Sequence, residues 1–224
     1  MLAGLGFDQR AFQNLKITDA EVYQLDWMDP LPYEKIEAYA ARMIETQITA
    51  EHRAKEIVFI GHSFGGVLSQ EMALQLPKTK LVLLISSIKS HSEKPFWMRF
   101  FYWLPIYWLI AKWIIRLTAP IWSPWYGYKT KTARKLLVEM AMRFSNRYHR
   151  WATRTIAWWQ AKPRAKTLRI VSIHGTKDLM FPFKNISPIK HPVEGGNHFM
   201  CYHEAAEVSQ LIQVELNLHR DSNP

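Results

Sequence analysis

The sequence predicts an α/β fold, a mostly parallel sheet flanked by helices, on three observations. Residues 56–60 (EIVFI), 80–85 (KLVLLI) and 168–173 (LRIVSI) are short apolar runs, as expected of strands buried on both faces. Helical patterns alternate with strand patterns at a spacing that suits parallel strands joined by crossover helices. The chain has 224 residues, 48% of them apolar, which is enough for one domain with a substantial core.

Taken in order, residues 20–27 (AEVYQLDW) alternate weakly and predict a strand, which Asp29-Pro30-Leu31-Pro32 breaks. Over 33–48, Ile36, Tyr39, Ala40, Met43, Ile44 and Gln47 form a helical stripe with one polar lapse. The run 56–60 ends in Gly61-His62-Ser63-Phe64-Gly65-Gly66, and 67–76 continues as a helix until Pro77. After the strand at 80–85 the pattern stops until 168–173, which ends in His174-Gly175-Thr176-Lys177-Asp178. A short extended stretch at 189–193 leads to Gly195-Gly196-Asn197-His198, and a helix over about 202–218 closes the chain. The interruption, 89–166, is helical, aromatic and basic. It predicts a helical cap inserted between two strands of a single domain spanning 1–224.

The net charge of +10 is unevenly placed. Residues 89–169 hold 17 Lys/Arg against two acids, Glu93 and Glu139, and nine of the ten tryptophans lie between Trp97 and Trp159. So polarised a chain predicts two functional regions around one core. A single cysteine, Cys201, excludes an internal disulfide and suits a reducing compartment. The opening Met1-Leu2-Ala3-Gly4-Leu5-Gly6 lacks the basic and long apolar regions of a signal peptide, so the expected location is the cytoplasm.

Gly61-His62-Ser63-Phe64-Gly65 matches G-x-S-x-G, the nucleophile elbow. The spacing is steric: the serine sits on a sharp strand-to-helix turn, and small residues two positions either side let the backbones pass. Its Oγ then projects above the sheet, and the helix N-terminus behind it favours developing negative charge. The bare motif is weak, but the strand before it and the helix after it supply the context it requires. Asp178 follows the strand 168–173, where a turn-forming Asp is common, and His198 sits just after two glycines. Their order raises both: Ser63, Asp178, His198 is nucleophile, acid, base, each past the end of a strand, where open α/β sheets collect ligands. Glu194 is the rival acid, but it lies on the same loop as His198, where it can hardly back the imidazole.

These motifs resemble the α/β-hydrolase superfamily, particularly small bacterial serine hydrolases and esterases of the kind found in Bacteroidetes. Gly4-Leu5-Gly6-Phe7-Asp8-Gln9-Arg10-Ala11-Phe12 matches their opening loop, Gly61 to Gly66 the elbow, and the segments ending in Asp178 and around His198 the acid and base loops. The cap is weakly matched. The resemblance implies an α/β-hydrolase fold and an oxyanion hole built from the backbone N–H of Phe64 and that of Leu5 or Gly6. Relatives have a full buried strand before the opening loop; here that stretch is Met1-Leu2-Ala3. His62, before the serine, stands where such chains commonly pack a side chain against the sheet.

The expected reaction is acyl transfer from an ester-type bond of a small or lipophilic substrate to water. A non-catalytic or membrane-associated binding member of the same fold is the alternative. The histidines show no metal-ligand spacing and no glycine-rich phosphate loop precedes a lysine, so no metal and no cofactor are expected. Three readings of the cap compete: a lid over the substrate cleft, a surface touching anionic membrane, and nucleic-acid binding. No known module pattern supports the last. Residues 96–117 are intensely apolar, but their longest uncharged run, 100–111, is too short to span a bilayer.

Overall fold

The structure is a computed structural model that describes residues 1–99 and 106–222; residues 100–105, within the aromatic run, lie outside them. Helices α1 (Ile36–Gln47) and α2 (Ala50–Ala54) precede strand β1 (Val58–His62), helix α3 (Phe64–Ala73) and strand β2 (Leu81–Ile85). Between β2 and β3 lie α4 (Lys112–Leu117), α5 (Ala119–Trp122), α6 (Lys131–Arg143) and α7 (Asn146–Trp158), with a 3₁₀ turn at Ile106–Leu109. Strands β3 (Arg169–Gly175) and β4 (His191–Val193) follow, then α8 (Met200–His203) and α9 (Ala205–Asp221).

The sheet is parallel throughout in the order β1-β2-β3-β4, so the predicted α/β architecture holds. Alternate side chains of its strands enter two separate cores. Phe59, Val82 and Leu84 meet α1, α3 and α7 on one face. Ile60, Leu81, Leu83, Ile85, Val171 and Ile173 meet α6, α9 and the opening loop on the other. Every residue of β2 is buried, which is why it reads as unbroken apolar sequence. Truncating one of its leucines to alanine should cost about 2–5 kcal/mol.

The stripe read on α1 is the buried one: Ile36, Tyr39, Ala40, Met43 and Ile44. Its polar lapse has a use, because the Gln47 side chain exchanges two 2.8 Å hydrogen bonds with the Asp26 backbone. Helices α6 and α7 start at Thr130 and Ser145, whose hydroxyls accept from Ala133 N–H and Tyr148 N–H, satisfying otherwise orphaned donors.

The strand expected at 20–27 does not form. Leu25 alone makes a bridge, to Leu2, which bridges Gly61 of β1 on its other side, and residues 20–24 are exposed. Leu2 N–H donates to Ile60 O and His62 N–H to Leu2 O, while Leu25 N–H donates to Met1 O. Only Leu25 and Trp27 pack inward, Trp27 stacking on Phe64, while Val22 and Tyr23 stay exposed, so most of the run has no buried face to hold a strand.

Candidate active site

The β1–α3 turn places Ser63 at the C-terminal end of the sheet with φ +52° and ψ −123°, a conformation costing a non-glycine residue about 1–3 kcal/mol. The surroundings hold it there. Ser63 N–H donates to Ile85 O at 2.9 Å, Gly66 N–H to Ser63 O at 2.9 Å, and the buried Ser87 Oγ–H to Ser63 O at 2.6 Å. The elbow glycines are steric necessities. A Cβ on Gly61 would lie 2.4 Å from Gly66 Cα, and one on Gly65 would lie 2.2 Å from Leu2 O.

Asp178 and His198, from the loops after β3 and β4, converge on this serine. His198 Nε2 is 2.9 Å from Ser63 Oγ, and its Nδ1 is 2.9 Å and 3.1 Å from the two Asp178 oxygens. The tautomer that fits has Nδ1–H donating to Asp178 and Nε2 accepting from Ser63 Oγ–H. All three residues are buried. Burial alone would raise the Asp178 pKa. The adjacent His198 imidazole and the Phe181 N–H outweigh it and hold the carboxyl below the ordinary carboxylate range. Met180 N–H and Phe181 N–H both donate to Asp178 Oδ1 at 2.9 Å. Glu194 is turned elsewhere, accepting from Thr176 Oγ1 at 3.2 Å.

A base within reach of a hydroxyl, oriented by an ionised carboxylate, can deprotonate that hydroxyl as it attacks an electrophile. The sequence from residue 2 to 211 matches the model of the "Alpha/beta hydrolase family".

The chain belongs to the alpha/beta hydrolase family.

No curated protein matches it. This hydrolase is similar in fold to a thermophilic esterase from Thermogutta terrifontis, with 12% identity, 96% of this chain and 88% of that chain covered, and a TM-score of 0.64. An N-acyl homoserine lactonase is 15% identical over 100% of this chain and 89% of that one, with a TM-score of 0.68. A structure from a study of carboxylesterases of the thaumarchaeon Nitrososphaera gargenis is 15% identical, covering 84% and 74%, with a TM-score of 0.58. At these identities the likeness is one of fold.

In this alpha/beta hydrolase Ser63 opens onto a cavity of about 590 Å³, within the about 300–1,000 Å³ of small-molecule sites. The opening loop contributes Leu5 and Phe7 to its wall. The helical segment between β2 and β3 contributes Ile114, Trp122, Tyr126 and Thr153, among others. The wall is overwhelmingly apolar, and apart from Ser63 few groups could orient a charged ligand.

Several residues that position the site escaped the sequence reading. The Tyr126 ring stands 5.4 Å from the His198 ring, nearly edge-on, and burial pushes its hydroxyl up to about 12, so it stays protonated. The Tyr126–Gly127 turn is sewn to the base loop: Phe199 N–H donates to Tyr126 O at 3.0 Å and Asn197 Nδ2–H to Gly127 O at 2.6 Å. His174 Nε2 lies 2.8 Å from Phe181 O, closing the acid loop. In the opening loop, buried Asp8 is gripped by the Arg10 guanidinium and reached by Arg143 of α6 at 3.2 Å. The Asp and Arg of that opening are therefore a latch between the loop and α6. Among the described residues no cluster of His, Cys, Asp or Glu could hold a metal ion. No helix among them is long and apolar enough to cross a membrane.

Proposed function

We propose that the protein is a serine hydrolase of the esterase type, acting on an ester with a lipophilic acyl or alkyl group. The observation that carries this reading is the unbroken hydrogen-bond chain from Asp178 through His198 to Ser63 Oγ, ending at an apolar cavity. The lactonase with the same fold was solved with N-hexanoyl homoserine lactone, a cyclic ester carrying an apolar tail.

In this reading Ser63 Oγ attacks the ester carbonyl carbon and His198 Nε2 takes the hydroxyl proton. Asp178 keeps the imidazole in its Nδ1–H tautomer and stabilises the imidazolium. The carbonyl oxygen becomes an oxyanion facing two backbone donors, Phe64 N–H at the start of α3 and Leu5 N–H in the opening loop. Collapse expels the alkoxide, which leaves as the alcohol with the proton from His198. A water, deprotonated by the same nitrogen, attacks the acyl carbon, and on collapse His198 returns that proton to Ser63 Oγ as the acid leaves. The helical segment 89–166 serves as the cap, and its Trp122, Tyr126 and Ile114 shield the reacting carbonyl from bulk water.

The test is labelling with a fluorophosphonate probe and a screen of p-nitrophenyl esters of graded chain length, with a thioester alongside. A labelled Ser63 and turnover of a medium-chain ester are expected. Absence of both in folded protein would overturn the reading in favour of a binding member of the family.

A further inference from the structure

The helical segment between β2 and β3 shows solvent a set of side chains that a lid over a cleft does not require. Trp108, Leu109, Trp113, Leu117 and Ile121 are each between 58% and 72% exposed, all within 14 consecutive residues. Large apolar side chains scattered singly on a surface need no explanation; five on one short run do. The same run faces the cavity from its other side, since Ile110, Ile114, Ile115 and Thr118 line it. On α4 the division follows helical geometry. Ile114 and Ile115 turn inward, whereas Trp113 and Leu117 form one outer row and Lys112 and Arg116 the next, each pair four residues apart. Ile121 belongs to both sides, exposed and lining the cavity.

The charge beside this patch is of one sign. No acidic residue occurs between Glu93 and Glu139, while that stretch holds eight lysines and arginines. Cations interleaved with exposed tryptophan and aliphatic side chains match an anionic bilayer surface, where rings and alkyl groups enter the headgroup boundary and cations meet lipid phosphate. The alternatives fit less well. A second copy of the chain would bring Lys112 and Arg116 against their own counterparts. A nucleic acid would use the cations but leave Leu109, Leu117 and Ile121 without a partner.

We infer that the outer face of the 106–121 segment docks reversibly on anionic membrane, so that the cavity behind α4 draws its lipophilic ligand from the bilayer. The docking surface is independent of the hydrolytic reading, because it is measured without turnover.

The experiment is co-sedimentation of the full chain with vesicles of phosphatidylcholine alone or mixed with phosphatidylglycerol. Binding should require phosphatidylglycerol and fade with added salt. The pair Lys112→Gln and Arg116→Gln should lower partitioning roughly 30-fold, at the strength typical of two cations near an anionic surface. The pair Trp113→Ser and Leu117→Ser should lower it independently of salt. Both variants should keep the wild-type circular dichroism spectrum and melting temperature, since none of the four side chains lines the cavity. Wild-type protein left in the supernatant with phosphatidylglycerol at low salt would overturn the inference, as would vesicle binding that neither pair weakens. A dimer dissolved by Trp113→Ser and Leu117→Ser, or duplex DNA bound where vesicles are not, would reassign the surface and equally overturn it.

Discussion

His62, buried beneath the elbow, has its Nε2 2.8 Å from the backbone carbonyl of His198, 136 residues further along the chain. As a donor it ties the base loop to the strand that carries Ser63, while Phe7 packs edge-on against its ring at 5.1 Å. The bond does not touch the reacting atoms, so His62 is a positioning residue. His62→Leu should reduce kcat by up to about 100-fold, the scale of a misplaced catalytic group, with KM little changed. His62→Gln, which retains an N–H donor, should recover part of the loss. Steady-state kinetics on one ester decides it: equal kcat in His62→Leu and wild type would leave the residue as packing alone.

The three residues of the hydrogen-bond chain differ in what their loss should do. Ser63→Ala removes the hydroxyl that the proposed mechanism uses as nucleophile and should abolish both hydrolysis and probe labelling while the circular dichroism spectrum stays unchanged. His198→Ala should do likewise. Asp178→Asn keeps the shape but favours the wrong imidazole tautomer, and kcat should fall by about 10⁴. Full hydrolysis by Ser63→Ala would exclude this serine as the nucleophile.

Acid should weaken the fold through the same buried histidine. Burial, and after it the charge of His198, push the His62 pKa to about 3, whereas an unfolded histidine takes its proton near pH 6.5, about the model-peptide value. Between those limits the unfolded chain binds the extra proton. Stability therefore falls as pH drops through the window, by about 1.4 kcal/mol per pH unit from this group. Burial lowers His149 and His174 as well, adding to the slope in the same direction. Urea unfolding from pH 7 down to pH 4.5 should show wild type losing stability faster than His62→Gln. Parallel curves would mean that His62 does not remain neutral in the fold.

Gly65 tests the packing that makes the elbow possible. Its missing Cβ would stand 2.2 Å from Leu2 O and 2.4 Å from Ala3 O. Both are backbone atoms, and Leu2 is itself pinned between Leu25 and Gly61. Gly65→Ala should therefore cost about 3 kcal/mol or more, seen as a lower urea midpoint or as insoluble protein. Gly195→Ala is the contrast: nothing lies within 4 Å of its Cβ position, and only its φ of +69° is disfavoured, so about 1 kcal/mol is expected. Equal losses in the two would mean that the tight approach at Gly65 relaxes.

What could be read in advance follows from which interactions are local. The elbow was legible because a buried strand, a strained serine and its glycines are neighbours in sequence. That Asp178 and His198 would meet at Ser63 was legible because the three follow one another in the order that the fold places at the ends of its strands. Residues 20–27 misled because alternation reports a face, and only the end of this run has one to bury, where Leu25 is buried and Trp27 stacks on Phe64. The support of His198 by His62 and the docking of Tyr126–Gly127 on the base loop use backbone carbonyls as acceptors. Any residue supplies a carbonyl, so no side-chain pattern marks such a partner. Asp8 and Arg10 were recognised as part of an opening motif, but the reach of Arg143 to Asp8 needed α6 in place.

The cavity makes a claim about chain length that can be reversed by one side chain. Thr153 on α7 lines the wall, only half-buried, so a larger residue there can enter the cavity without displacing the packed Ala152 and Ile156 beside it. In Thr153→Phe the ring should occupy space that a longer acyl chain would use, while leaving Ser63, His198 and Asp178 untouched. Each methylene that no longer fits costs about 1–3 kcal/mol of transition-state binding. The ratio of kcat/KM for an octanoyl over an acetyl p-nitrophenyl ester should therefore fall at least about 10-fold relative to wild type. Acetyl ester turnover should hold near its original value, which separates a blocked pocket from a damaged site. If both esters slow together, the ring has disturbed Ser63, His198 or Asp178. If neither slows, the acyl chain lies elsewhere and the apolar cavity holds the alcohol portion instead.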